Sequence, residues 1–249
     1  MLLGWVRAIL LQLAHPLIAA GVAEHSTFRS GASAAFSRLH QTVGAMLALT
    51  FGDDGRREEA LEAIRVIHRR VHGTLPAACG PFHVGTPYSA EDPPLLLWVH
   101  ATLIDSIVRI YEQIVGPMSE AERDAYCADS AEVAIALGAR ADEVPRSWRA
   151  LQAYMAAQYG SGAIAPCHQA RELAAALLAP LRGLAATPLN GTLTLIAAGL
   201  LPPDIRRAYG LEWNRRRERS FRGMMAALHL ARHVTPRLIR WWPDARRAP

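Results

Sequence analysis

Ten histidines are the residues of this 249-residue chain best equipped for chemistry. The spacing of apolar residues puts His15, His68, His100 and His229 on the apolar faces of predicted helices. A neutral imidazole coordinates a metal through one nitrogen while the other donates to a carbonyl or carboxylate. A buried helical histidine therefore suits haem iron, and otherwise it is a satisfied core residue. Two pairs, His68 with His72 and His229 with His233, are spaced to point two imidazoles from one helix face, as a metal site would need. His72 follows Arg69 and Arg70, and equally reads as facing a haem propionate or solvent. Arg38 and Thr42 are spaced one turn apart with Gln41 between them. A guanidinium neutralises a carboxylate bidentately, and Thr and Gln donate hydrogen bonds to an oxygen ligand. An exposed arginine is the plainer reading of Arg38.

The chemistries with stronger signatures are missing. Gly160-Ser161-Gly162 loosely imitates a dinucleotide loop, but a helical pattern precedes it where a strand is required. There is no phosphate loop, no Gly-x-Ser-x-Gly elbow, no His-Glu-x-x-His and no Glu-x-x-His. No Cys-x-x-Cys-His occurs, so any haem would be held by ligation and packing alone. Cys79, Cys127 and Cys167 are odd in number and scattered, which predicts free thiols and a reducing compartment.

The elements that must position the histidines read as helices almost throughout, so the expected fold is all-α, one multi-helix domain over 1–249. Leu39, Val43, Met46, Leu47 and Thr50 form one predicted core stripe, and Leu61, Ile64, His68 and Val71 another. Pro76, Gly80, Pro81, Gly85, Pro87, Pro93 and Pro94 in the segment from Gly73 to Pro94 predict a long irregular loop at a pocket edge. Asp92 and Pro93 then open a helix with Leu96, Val99, His100, Leu103, Ile107 and Ile110 on one side. Ser119 to Glu122 is a capping box, and Pro145 and Gly160 bracket a helix containing Trp148, Leu151 and Tyr154. Later helices are predicted over 167–178, 192–200 and 211–229, broken at Pro188, Pro202 and Pro203.

The formal charge of +5 reflects 27 basic against 22 acidic residues, with much of the excess after Pro203. No nucleic-acid docking motif accompanies those arginines, which read as solvated helix faces. Arg7 followed by the apolar run from Ala8 to Ala23 imitates a secretory leader. Gln12, His15 and Pro16 interrupt it, predicting a buried helix, no transmembrane segment and a cytoplasmic protein.

Several motifs together resemble the MpaB-type oxygenase family, which includes the latex-clearing proteins or rubber oxygenases. They are Gln12-Leu-Ala-His-Pro16, Gly21-Val-Ala-Glu-His-Ser26, Arg38 with Thr42, Phe51-Gly-Asp53, His68-Arg-Arg-Val-His-Gly73 and the stretch from Asp92 to Ser106. A weaker likeness continues in Arg207-x-Tyr209 and Pro243-Asp-Ala-Arg246. The resemblance implies a globin-like helical core and a non-covalent haem b, an iron cofactor ligated by His68. It also implies that Arg38 and Thr42 line the haem site, that Gln41 stands where the latex-clearing branch carries a lysine, and that Glu24 is the nearest match to an acid or base. His72 occupies a position that is usually basic in the family.

The reading that follows is a haem-dependent oxygenase acting with O2 on a hydrophobic, unsaturated or isoprenoid substrate, with an unidentified electron donor as an optional partner. A non-catalytic haem- or lipid-binding protein is the rival reading, distinguished by turnover, and a cofactor-free helical scaffold is the third.

Overall fold

Pro16 sets the first feature of the fold. A proline has no N–H to leave unpaired in a first helical turn, and here it starts a second helix at 105° to the one before it. The computed structural model describes residues 2–25, 44–178 and 188–234. In chain order they form α1 (Leu2–Leu13), α2 (Pro16–His25), α3 (44–51), α4 (Asp54–His68), β1 (His72–Thr74), β2 (Pro87–Ser89), α5 (Pro93–Ile114), α6 (Glu120–Ala136), α7 (Trp148–Gly160), α8 (His168–Leu178), α9 (Pro188–Leu200), α10 (Pro203–Ala208) and α11 (Arg215–Val234). The fold is all-α apart from one antiparallel hairpin that pairs His72 with Ser89 and Thr74 with Pro87.

The central element is α5. Asp92 holds extended backbone and Pro93 and Pro94 follow it in the first turn, as the sequence predicts. The expected apolar side is only part of what this helix buries. Leu97, Trp98, Ala101, Ile104, Val108 and Ile110 are its deepest apolar residues, while Val99, His100, Leu103 and Ile107 are half-buried. Thr102 and Ser106 are buried too, and their hydroxyls donate back to carbonyls of the preceding turn. α5 is also long and apolar enough to cross a membrane, and most of its apolar window is buried against the other helices.

α1 lies along α5 more extensively than any other pair of elements. Gly4 permits the approach, since a Cβ there would sit 3.2 Å from the Ser106 carbonyl oxygen. A charge clamp fixes the pair. Arg7, at the head of the apolar run predicted to form a buried helix, is 3% exposed and bonds Asp105 at 2.7 Å, the Ser106 hydroxyl at 2.6 Å and the Leu200 carbonyl at 2.8 Å. Asp105 also accepts from Arg109 and Gln152. Burial pushes its carboxyl up, but the two arginines and these hydrogen bonds together hold it below the usual carboxylate range.

α6 and α7 cover one flank of α5 through Leu96, Leu97, Ala131, Ala134 and Val144. α6 starts with the predicted capping box, Ser119 accepting from the Glu122 N–H while Glu122 accepts from that of Ser119. α9 and α11 close the far end around Ile110, Ile196, Leu200, Phe221 and Met225. The short α10 has no counterpart in the sequence prediction. It follows Pro202 and is held by Arg206, whose guanidinium stacks 4.0 Å from the Trp213 ring.

The stripes predicted on the third and fourth helices are only partly core. Of the first, Leu47 is buried, Met46 half-buried and Thr50 exposed, its hydroxyl turned back to the Met46 carbonyl; Leu39 and Val43 lie outside the described residues. α4 is capped by Asp53, which accepts from Arg56 N–H, and buries Leu61 alone. Arg65 holds α4 to the rest by donating twice to the Ala136 carbonyl. Val71 and His72 do not belong to it, because the helix ends at His68.

Candidate active site

The candidate histidines lie on neighbouring elements: the α1–α2 corner, the first half of α5, the hairpin and the C-terminal end of α4. His15 sits in the corner, 6% exposed. Its backbone N–H bonds the Gln12 carbonyl and its carbonyl receives Ala19 N–H, so the bend fixes the residue. Its Nδ1 is buried without a partner among the described residues, and burial lowers its pKa from 6.5 to about 4. Its ring lies 5.2 Å from that of Phe82, on the segment between the two strands.

Across from this corner, Gln12 donates to the Val99 carbonyl at 3.3 Å. The next residue is His100, which burial also pulls down to about 4. It makes no side-chain hydrogen bond to any described residue. Leu103 and Ile107, further along α5, pack with Trp5, Met46, Leu47 and Phe51, giving an apolar wall between α1, α3 and α5.

His68 ends α4. Its carbonyl accepts Val71 N–H, and the Val71 carbonyl accepts Ala90 N–H, so the helix end is tied to the hairpin. The residue is half-buried and its ring bonds no described residue. Burial lowers its pKa, with the Glu91 carboxylate pulling the other way. A neutral imidazole with an uncommitted lone pair is the protonation state iron requires.

Beyond the hairpin a polar cluster closes the group. Tyr88 is buried and donates to Glu24 Oε2 at 2.5 Å, while His25 Nε2 donates to the His72 carbonyl at 3.0 Å. Burial, and then the Glu24 carboxylate, push the Tyr88 phenol well above its ordinary pKa. The approach is close enough that a Cβ at Gly73 would meet the Tyr88 hydroxyl oxygen at 2.6 Å and Glu24 Oε2 at 3.1 Å.

The structure therefore corrects two expectations. His68 and His72 do not share a helix face, because the chain turns after α4 and His72 lies exposed in β1. The segment from Gly73 to Pro94 is not wholly irregular, since it contains the hairpin and a Cys79–Phe82 bridge. His229 and His233 do share a face of α11, with ring centroids 5.8 Å apart, but His229 Nδ1 is committed to the Ile114 carbonyl. That contact is fourteen residues beyond His100, about 20 Å along α5. Arg38, Gln41 and Thr42 lie outside the described residues. No group of three or more His, Cys, Asp or Glu able to hold a metal ion occurs among the described residues. Haem needs only one such ligand, so this does not bear on it.

Tyr88, His25 and the Arg7–Asp105 pair were not singled out from sequence as functional. For Arg7 a signal existed, because an arginine inside an apolar helix is rarely buried without a partner. Tyr88 gave none, lying among prolines and glycines.

The catalytic domain described as "ER-bound oxygenase mpaB/B'/Rubber oxygenase" matches residues 1–230. The chain belongs to this oxygenase family. Two uncharacterized proteins, of Mycobacterium bovis and Mycobacterium tuberculosis, are each 30% identical to this chain over 234 residues, covering 92% of it and 87% of theirs. No solved structure matches it.

Placed in this MpaB/rubber oxygenase domain, the described residues fit a haem in donor chemistry. His15, His68 and His100 are all held toward the neutral form, His15 has an orphaned ring nitrogen, and an apolar wall lies beside His100.

Proposed function

We propose that this chain is a haem b-dependent oxygenase that acts with O2 on a hydrophobic, unsaturated or isoprenoid-type substrate, with His68 as the iron ligand. One observation carries the reading: in a chain of this oxygenase family, His68 ends its helix half-buried, biased toward the neutral form, with no ring hydrogen bond to a described residue. Held there, haem b would supply the redox-active iron for O2 chemistry.

The chain's own residues have separable tasks in this reading. The wall of Trp5, Leu47, Leu103 and Ile107 excludes water and favours an apolar substrate. Glu24 exchanges a proton at its carboxylate, positioned by the Tyr88 hydroxyl on Oε2. On the family likeness, Arg38 and Thr42 orient polar groups at the haem edge, Gln41 takes the place of a lysine, and exposed His72 offers a donor to a carboxylate. An unidentified electron donor is an optional further partner in this reading.

The test is His68→Ala, expressed with ample haem and examined by ultraviolet-visible spectroscopy. Wild type is expected to show a Soret band that shifts when carbon monoxide is added to the reduced protein. The variant is expected to lose that band while keeping its helical circular dichroism. Full haem retention in the variant overturns the assignment, and His100 and His15 are then the ligands to substitute next. A wild type without a Soret band overturns the haem reading itself.

A further inference from the structure

Outside the candidate site, the three cysteines are not equivalent. Cys127 is 1% exposed, and burial, followed by Asp124 and Asp105, pushes its thiol up to about 11. Cys79 and Cys167 are only partly covered, and the fold sets Cys79 against the segment that leads into Cys167.

Cys79 stands in a tight turn in which its N–H bonds the Phe82 carbonyl at 2.9 Å and its carbonyl accepts Phe82 N–H at 3.1 Å. Gly80 holds φ +55°, a conformation open to glycine. This presses the turn on the segment before α8, so that a Cβ there would lie 3.0 Å from the Gly162 carbonyl oxygen and 3.4 Å from Ala165 Cβ. The Cys79 thiol donates to the Ala165 carbonyl at 3.3 Å. Two residues later Cys167 caps α8, its carbonyl accepting Arg171 N–H at 3.1 Å. The Ala165 contact sets the Cys79 thiol against the segment that leads directly into Cys167, close enough for the two thiols to act on one another. A bridged turn fixes one and a helix start fixes the other.

We propose that Cys79 and Cys167 are a redox pair that closes to a disulfide under hydrogen peroxide, stapling the turn between the strands to the start of α8. Peroxide oxidises the first thiol to a sulfenic acid and releases one water. The second thiol then attacks that sulfur, the S–S bond forms as the S–O bond breaks, and a second water leaves. Two thiols and one peroxide give one disulfide and two waters, the sulfurs being oxidised and the peroxide oxygens reduced. The stapled turn carries Phe82, which packs on His15, so the bond would fix the cover of that histidine.

Burial, the Cys167 thiol beside it and a partly opposing Arg171 leave the Cys79 thiol above its ordinary pKa. That lowers its thiolate fraction and slows its reaction with peroxide, so the titration is carried to excess oxidant.

The experiment is a peroxide titration of the full chain, followed by thiol counting under denaturing conditions, intact mass and peptide mapping. Titratable thiols are expected to fall from three to one per chain. The mass should drop by about 2 Da, a Cys79–Cys167 peptide should appear, and dithiothreitol should reverse all three changes. Cys79→Ser and Cys167→Ser should each abolish the linked peptide and convert the remaining partner to higher oxidation states, with helical circular dichroism unchanged. The proposal is overturned if the wild type gains about 32 Da as a sulfinate without cross-linking. It is equally overturned if Cys127 takes part or if the linkage forms only between chains.

Discussion

Removing the Asp105 carboxylate is the sharpest test of how the two principal helices are held. In Asp105→Ala, Arg7 keeps the Leu200 carbonyl and the Ser106 hydroxyl but loses its counter-charge, and at 3% exposure it has no water to replace it. Leaving one member of a buried pair alone costs about 3–5 kcal/mol. Arg109 adds little, because its side chain is 45% exposed and turns to solvent. For a chain of this size each kcal/mol moves the midpoint by about 2–4 °C, so a fall of roughly 6–20 °C is expected. Thermal unfolding followed by far-ultraviolet circular dichroism reads it. The double variant Arg7→Met, Asp105→Leu removes both charges and should recover most of the loss, since the cost lies in the orphaned charge. A single variant within about 1 kcal/mol of wild type, or a double variant less stable than the single, would refute the reasoning. The same pair predicts acid sensitivity. The folded carboxyl titrates below its unfolded value of about 4, so its contribution is complete above that pH and is lost as pH falls through the folded value.

His15 and His100 impose a second acid limit, higher on the pH scale. Each falls from 6.5 to about 4 on folding, so the unfolded chain binds more protons between those values and stability drops as pH falls through that window. For well-buried His15 this reaches about 3 kcal/mol at most, and denaturant midpoints across the window should flatten in His15→Gln. Gly73→Ala forces a methyl against the Tyr88 hydroxyl and Glu24; it is expected to cost about 1–3 kcal/mol in denaturant titration and to lower turnover through the displaced carboxylate.

Much of the scaffold was legible because its signals are local. Asp92-Pro93 and Ser119 to Glu122 specify helix starts through their own backbone chemistry, and both start where expected. The end of α4 was less legible. Val71 continues the apolar spacing past His68, so periodicity alone extends the helix, whereas pairing of Val71 with Ala90 takes the chain into the hairpin. That pairing depends on residues nearly twenty positions away, which no local pattern carries. The same limit explains Cys79 and Cys167. Their spacing in sequence suggests nothing, and only the press of the Gly80 turn on the 162–165 segment brings the thiols together.

The clamp and the candidate site are coupled through helix geometry. Arg7 precedes Gln12 on α1 by five residues, and Asp105 follows His100 on α5 by five, each about 7.5 Å along its axis. Fixing Arg7 on Asp105 therefore sets both the rotation and the register with which α1 meets α5, and so where Gln12 reaches the Val99 carbonyl and where His15 and His100 stand. Losing the clamp should loosen the site before the helices separate, because the Gln12 contact, at 3.3 Å, is long for a hydrogen bond and has no charge to hold it. In the haem reading, Asp105→Ala would then weaken haem retention at temperatures where circular dichroism still reports an intact fold. Loss of haem and helix together, at one midpoint, would show instead that the clamp secures the fold without setting the site.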